Sequence, residues 1–257
     1  MTSIRVEHLN KSYKTRDGDV PALQDINLNV QEGEFVSIVG PSGCGKSTLL
    51  YIIGGFITAD SGDLRVSGSP IAGPGIDRGV VFQEYALFPW LNVSQNIRYG
   101  LEMTGVPREQ RDEIVQRLVR TIGLGGFENR FPRELSGGMR QRVAIARTLA
   151  YNPKILLLDE PFGALDAQTR ETMQDELLRL WLAHRKTVIM VTHDVSEAVY
   201  LSERVLVMSK RPGRMVEEFK IDLDRSGDRE KMILSEDFNK IRNEVWLAVR
   251  RQTGSLQ

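Results

Sequence analysis

Nine consecutive residues, Gly40, Pro41, Ser42, Gly43, Cys44, Gly45, Lys46, Ser47 and Thr48, have the types and spacing to hold a run of phosphates. Glycines at 40, 43 and 45 let the backbone approach an anion with no side chain in the way, and successive N–H groups then point at phosphate oxygens. Lys46 can reach the terminal phosphates, and the Ser47 hydroxyl suits a Mg2+ ion. The apolar run at 35–39 reads as a short buried strand. Leu49, Leu50, Ile52 and Ile53 read as the first turns of a helix whose N-terminus adds partial positive charge. Strand, glycine-rich loop, Lys-Ser and helix in that order distinguish a phosphate loop from an ordinary glycine-rich turn.

Two further sites carry chemistry of their own. Asp159 and Glu160 follow the apolar run 155–158. A carboxylate there can hold Mg2+ through its waters and complement Ser47, and a second can accept a proton from an attacking water. Without a phosphate loop in the same chain, the pair would read as a solvated acidic turn. In the stretch 135–139, Ser136 is a good capping residue, and with Gly137 and Gly138 it makes a helix N-terminus suited to a second anion. Two phosphate-binding helix ends are hard to explain in a chain that works alone.

Regular elements must place these groups. Residues 3–10 and 26–30 alternate as two strands around a turn at 16–19, so the N-terminus reads as antiparallel β structure. The runs 155–158 and 188–191 are short and apolar throughout, the pattern of strands buried on both faces of a parallel sheet, while 35–39, apolar but for Ser37, and 79–82 read as further short strands. Helical spacing marks 94–103, 109–122, a segment ending near 150, and 167–185, where Met173, Leu177, Leu180 and Trp181 share a side. Strands alternating with helices define an α/β fold, which binds ligands beyond the carboxyl ends of its strands. Gly40, Gln83, Asp159 and His193 all fall at such ends and are expected in one crevice. Strands at 205–208 and 215–221 flank a turn at 211–213. The polar stretch 222–230 reads as a linker, and Phe238, Ile241, Val245, Trp246 and Val249 as one face of a final helix.

The chain has 257 residues, enough for a sizeable core, and its 34 basic residues balance its 34 acidic ones. That balance gives no bulk electrostatic footprint for nucleic acid, and no nucleic acid partner is expected. Cys44 is the single cysteine, so no intrachain disulfide can form, which fits a reducing compartment. Residues 1–14 lack an apolar signal-peptide core, and no run approaches the ~18 apolar residues of a membrane span. A soluble or peripheral protein is expected.

Taken together, residues 4–218 resemble the nucleotide-binding subunit of an ABC transporter. Tyr13 matches the aromatic that stacks on adenine, 40–48 the Walker A motif, Gln83 the Q-loop and 135–139 the family signature. Residues 155–160 match Walker B, 163–166 the D-loop, and His193 the switch histidine. Met139 stands where the family often has Gln, and Gly163 where Ser is frequent. Neither change removes a group needed for phosphate contact.

The resemblance implies an ABC-type P-loop NTPase with a RecA-like core, an N-terminal antiparallel β subdomain and a helical subdomain inserted at about 88–150. The ATP-binding domain would span 1–221, with 222–257 a short helical appendage. It implies ATP and Mg2+ as cofactors, with Ser47, Gln83 and Asp159 as metal partners and Glu160, His193 and Gln83 as catalytic residues. A head-to-tail dimer would place ATP between 40–48 of one copy and Ser136, Gly137 and Gly138 of the other. A membrane permease would dock at 83–91, a substrate-binding protein would act indirectly, and the subunit would lie on the cytoplasmic face of the membrane. On its own, the aromatic stretch 85–91 can equally pack the helical subdomain.

The stretches 83–90 and 211–214 are most similar to the nitrate, sulfonate and taurine import group. An exporter of the same fold is an alternative. A DNA-repair type fits less well, because Ser136 follows Gln83 by only 53 positions and no heptad run lies between them.

Overall fold

The computed structural model describes residues 2–16, 18–225 and 227–254. In chain order the elements are β1 (Thr2–Thr15), β2 (Gly18–Gln31), β3 (Phe35–Val39), α1 (Lys46–Ile53), β4 (Ser61–Val66), β5 (Ser69–Pro70) and β6 (Arg78–Val81). Then come α2 (Val93–Met103), α3 (Arg108–Thr121), α4 (Gly137–Ala150), β7 (Ile155–Asp159), α5 (Ala167–His184) and β8 (Thr187–Val191). The chain ends with α6 (Val195–Leu201), β9 (Arg204–Met208), β10 (Met215–Lys220), α7 (Arg229–Leu234) and α8 (Glu236–Thr253). Two compact units result, Met1–Gly75 with Ala183–Gln257, and Ile76–Leu182.

In the first unit, β1 pairs antiparallel with both β2 and β4, and β4 with β5. Ile4, Val6, Leu9, Ile26, Leu28 and Val30 are buried along β1 and β2. The step from Val6 to Leu9 breaks the period of two, and a register shift with His8 at φ 49° absorbs it. β1 therefore extends to Thr15, beyond the weak alternation visible in the sequence. β3 pairs parallel with β8 and β9, and every residue of β3 and β8 is buried. β10 returns antiparallel to β9.

Where the sequence reads a bare linker at 222–230, the backbone has no regular element as far as Arg225, but α7 is already under way at Arg229. The expected inner face of the last helix also needs correction. Phe238, Val245 and Ala248 are buried in α8, while Trp246 is 47% exposed. One residue past Val245 turns a helix by about 100°, so Trp246 leaves the inner stripe. Its ring is covered instead by Arg250, 4.9 Å away.

The second unit pairs β6 with β7 in parallel, Val81 opposite Leu158, and packs α2, α3 and α4 together. α2 opens on a capping box between Asn92 and Gln95, which sets its start at Val93. Asn96 is fully buried there. Its amide accepts from Phe88 N at 3.0 Å and donates to Leu91 O at 2.8 Å, fixing the turn that precedes the helix.

Candidate functional site

In the first unit, residues 40–48 link β3 to α1. Gly43 has φ 74°, and a Cβ there would meet nothing within 4 Å, so the loop is open on that side. Its other side is supported from below. A Cβ on Gly213 would overlap the Cys44 carbonyl, and Gly213 bonds to β2 through Ala22 O and Gln24 N, each at 2.9 Å. The turn at 211–213 thus braces the loop.

Lys46 is buried, and its ammonium donates to Gly40 O at 2.9 Å and Pro41 O at 3.0 Å. The two carbonyl oxygens are neutral acceptors, with Cys44 Sγ 3.9 Å away, so an incoming anion offers the ammonium a stronger contact. Burial pushes the Cys44 thiol above its ordinary range, and the Lys46 charge opposes the shift. Tyr13 is 37% exposed, with its hydroxyl 3.2 Å from Thr48 Oγ1, which holds the ring beside the loop.

His193 belongs to the same edge. β3 and β8 run parallel with Ile38 opposite Val191, and Thr192 N donates to Ile38 O at 3.2 Å. Gly40 and His193 therefore leave the sheet side by side, two residues beyond paired positions. The backbone around His193 is clipped on both sides. Thr192 Oγ1 donates to Glu197 at 2.8 Å, and the Asp194 carboxylate accepts from Ser196 N and Glu197 N to cap α6.

The second unit gathers a different set. Asp159 is fully buried at the end of β7, and Glu160 follows in the left-handed region at φ 45°. Such a backbone is uncommon for glutamate and turns its side chain out of the strand line. Gln83 Nε2 lies 3.5 Å from Glu160 Oε2.

Ser136 caps α4, accepting from Met139 N at 3.2 Å. A Cβ on Gly137 would lie 3.3 Å from the Tyr85 hydroxyl, and one on Gly138 3.1 Å from Leu165. The glycine pair therefore permits the signature helix to approach both the segment after Gln83 and the D-loop. A Cβ on Gly163 would meet Glu160 O no closer than 3.6 Å, so glycine is not sterically required there.

One residue that holds the aromatic stretch of this unit carries no signal in the sequence. Arg147, on α4, donates to Ala86 O at 2.7 Å and Tyr85 O at 3.3 Å, across more than 60 positions of chain. It also lies 5.3 Å from the Phe88 ring. Tyr85 and Ala86 both have positive φ, and Arg147 holds that strained turn. Phe88 is half-buried, 4.6 Å from Tyr99 and 5.6 Å from Trp90, while Trp90 is 70% exposed. The aromatic stretch divides between packing and surface.

The residues fit the groups the sequence implies. The open side of the loop at Gly43 and the buried ammonium of Lys46 suit a polyphosphate. Ser47 in the first unit, and Gln83 and Asp159 in the second, each carry a hard oxygen donor of the kind Mg2+ prefers.

Comparison with known proteins agrees with this. The ABC transporter family profile matches residues 23–163. An uncharacterised ABC transporter ATP-binding protein of Methanocaldococcus jannaschii is 52% identical over 240 residues, 93% of this chain and 90% of that protein. The nitrate import ATP-binding protein NrtD of Synechocystis is 48% identical, covering 88% of this chain and 85% of its own. The taurine import ATP-binding protein TauB of Escherichia coli is 47% identical, covering 91% of each. Among solved structures, a dimeric bacterial ABC transporter cassette superposes with a TM-score of 0.79 at 37% identity, over 85% of this chain and 99% of that one. A post-hydrolysis dimer of an ATP-binding cassette bound to ADP and Pi gives 0.78 at 36% identity, with the same coverage of each chain.

The chain belongs to the ABC transporter family. Within it, the chain is an ATP-binding cassette, the ATPase class coupled to transport, and is similar to the nitrate and taurine import members.

Proposed function

We propose that this chain is the ATP-hydrolysing subunit of an importer for a small anion or organosulfur solute of the nitrate, sulfonate or taurine type. The observation that carries the importer reading is the 47–48% identity to nitrate and taurine import cassettes along most of the chain.

In this reading, Tyr13 stacks on the adenine and the backbone of residues 40–48 cradles the phosphates. Lys46 leaves Gly40 O and Pro41 O for the terminal phosphates, exchanging neutral acceptors for anionic ones. Ser47, Gln83 and Asp159 would hold Mg2+, which when bound neutralises charge on the phosphate oxygens. Glu160 accepts a proton from the attacking water, Gln83 orients the Glu160 carboxylate, and His193 contacts the γ-phosphate. Ser136, Gly137 and Gly138 serve the nucleotide of a second copy, a pairing supported by the dimeric cassettes of similar structure.

The exposed Trp90 and its neighbours at 83–91 form the docking surface for a membrane permease, which a substrate-binding protein supplies. No helix among the described residues is long and apolar enough to cross a membrane, so the cytoplasmic-face placement rests on that permease.

Uptake tests this directly. A host lacking the chain should lose uptake of one solute of this type, regained with the natural sequence and not with Glu160→Gln. Unchanged uptake of nitrate, sulfonates and taurine alike would overturn the importer reading.

A further inference from the structure

α6 is a helix of only seven residues, yet it begins two residues after His193 and is almost wholly buried. Its C-terminal end leaves backbone carbonyls without intrahelical partners, as every helix end does. Those carbonyls are taken by Arg225, in the stretch that the sequence reads as a linker. Its guanidinium donates through Nε to Tyr200 O at 3.2 Å, and through one terminal nitrogen to Val199 O and Ser202 O. The other terminal nitrogen donates to Leu223 O at 3.3 Å, closing the stretch on itself. A cation at a helix C-terminus also meets the negative end of the helix dipole.

Two more contacts point the same way. Arg229, at the start of α7, lies 4.2 Å from the Tyr200 ring on α6, and α8 packs against α6 and β9. Ser202, which accepts from Arg225, is hydrogen-bonded through its hydroxyl to Ser37 in β3, the strand that leads into the phosphate loop. At its other end, α6 carries Glu197, which receives the Thr192 hydroxyl immediately before His193. The C-terminal segment thus grips one end of α6, and the other end sets the backbone of His193.

We infer that residues 222–225 and 227–254 act as a positioning strap for His193, with Arg225 as the residue that transmits its hold through α6. Arg225 touches no part of the proposed nucleotide site, so its effect on hydrolysis passes through the placement of the histidine. The inference gives the C-terminal segment a task in turnover and makes any ligand or partner that displaces the segment a regulator of hydrolysis. It rests on the reading of His193 as a γ-phosphate contact.

The test uses the full chain with Arg225→Ala, Arg225→Lys, Arg229→Ala and, separately, His193→Ala. ATPase kinetics and the ring NMR signals of the three histidines, His8, His184 and His193, are recorded. Arg225→Ala should lower kcat about ten-fold, leave KM for ATP within about two-fold, and shift the His193 signal but not that of His8. Arg225→Lys should recover part of the loss, and Arg229→Ala should give the same pattern at smaller amplitude. The inference is overturned if kcat and the His193 signal are both unchanged, or if kcat falls with the His193 signal unmoved. Should Arg225→Ala fail to fold, Arg225→Lys and Arg229→Ala decide by the same two readouts. Full activity in His193→Ala would instead remove the reading of His193 on which the inference stands.

Discussion

Gln83 and Glu160 lie 3.5 Å apart, amide nitrogen to carboxylate oxygen, at the ends of two parallel strands paired at Val81 and Leu158. The pairing register makes them neighbours, because each stands two residues beyond a matched position. At this length the contact is a weak hydrogen bond, enough to orient the carboxylate. Replacing Gln83 by Ala should lower kcat by about ten- to a hundred-fold and leave ATP binding close to natural, read by phosphate release and by nucleotide titration. Weaker ATP binding with kcat unchanged would assign Gln83 to nucleotide binding alone.

Lys46 gives a second expectation. Its ammonium sits among loop carbonyls, poised for an anion. Lys46→Ala removes a charge-assisted contact of about 1.5–3 kcal/mol, which corresponds to roughly ten- to a hundred-fold weaker ATP binding by calorimetry. Unchanged affinity would sink its phosphate role.

Trp90 separates docking from stability. With 70% of its surface exposed, truncation to Ala should change the stability read by thermal unfolding little, within about 0.5 kcal/mol. Co-purification with the permease should fall sharply, because an exposed aromatic of this kind is a typical interface anchor. Undiminished co-purification would leave the docking surface elsewhere.

Cys44 yields a chemical expectation. Thiolate is the reactive form, and burial raises the thiol's pKa, so at neutral pH less of Cys44 is ionised than of a free cysteine. Alkylation by iodoacetamide should be slow in the folded chain and fast in denaturant, measured by mass spectrometry. Its rate should rise with pH beyond the range in which an ordinary thiol has levelled off. Equal rates in folded and denatured protein would contradict the buried placement.

Much of this was legible in the sequence, for physical reasons that differ by element. β3, β7 and β8 are buried at every residue and apolar except for Ser37 and the terminal Asp159 and Thr187, because both faces are covered, and such runs are easily read. The phosphate loop and the Ser136 cap are local, so their residues suffice to specify them. β1 was read short because the displacement at His8 interrupts its alternation. α6 is nearly silent in the sequence. Seven residues hold too few turns for a period, and only Asp194 followed by Glu197 marked its start. Arg147, Asn96 and Arg225 left no trace because their partners are backbone carbonyls reached through the fold, which no residue type advertises. Trp246 was placed on the inner face by its apolarity, where one step of helix rotation puts it outside.

The central claim is that residues 40–48 form half of a site that Ser136, Gly137 and Gly138 of a second copy complete, with Glu160 as the base. The most direct measurement is the mass of Glu160→Gln by light scattering during size-exclusion chromatography, with and without ATP, alongside its rate of phosphate release. Twice the mass of one chain with ATP and a single chain without it are expected, together with a loss of turnover of about a thousand-fold. A single-chain mass in saturating ATP, or hydrolysis at the natural rate, would contradict the claim.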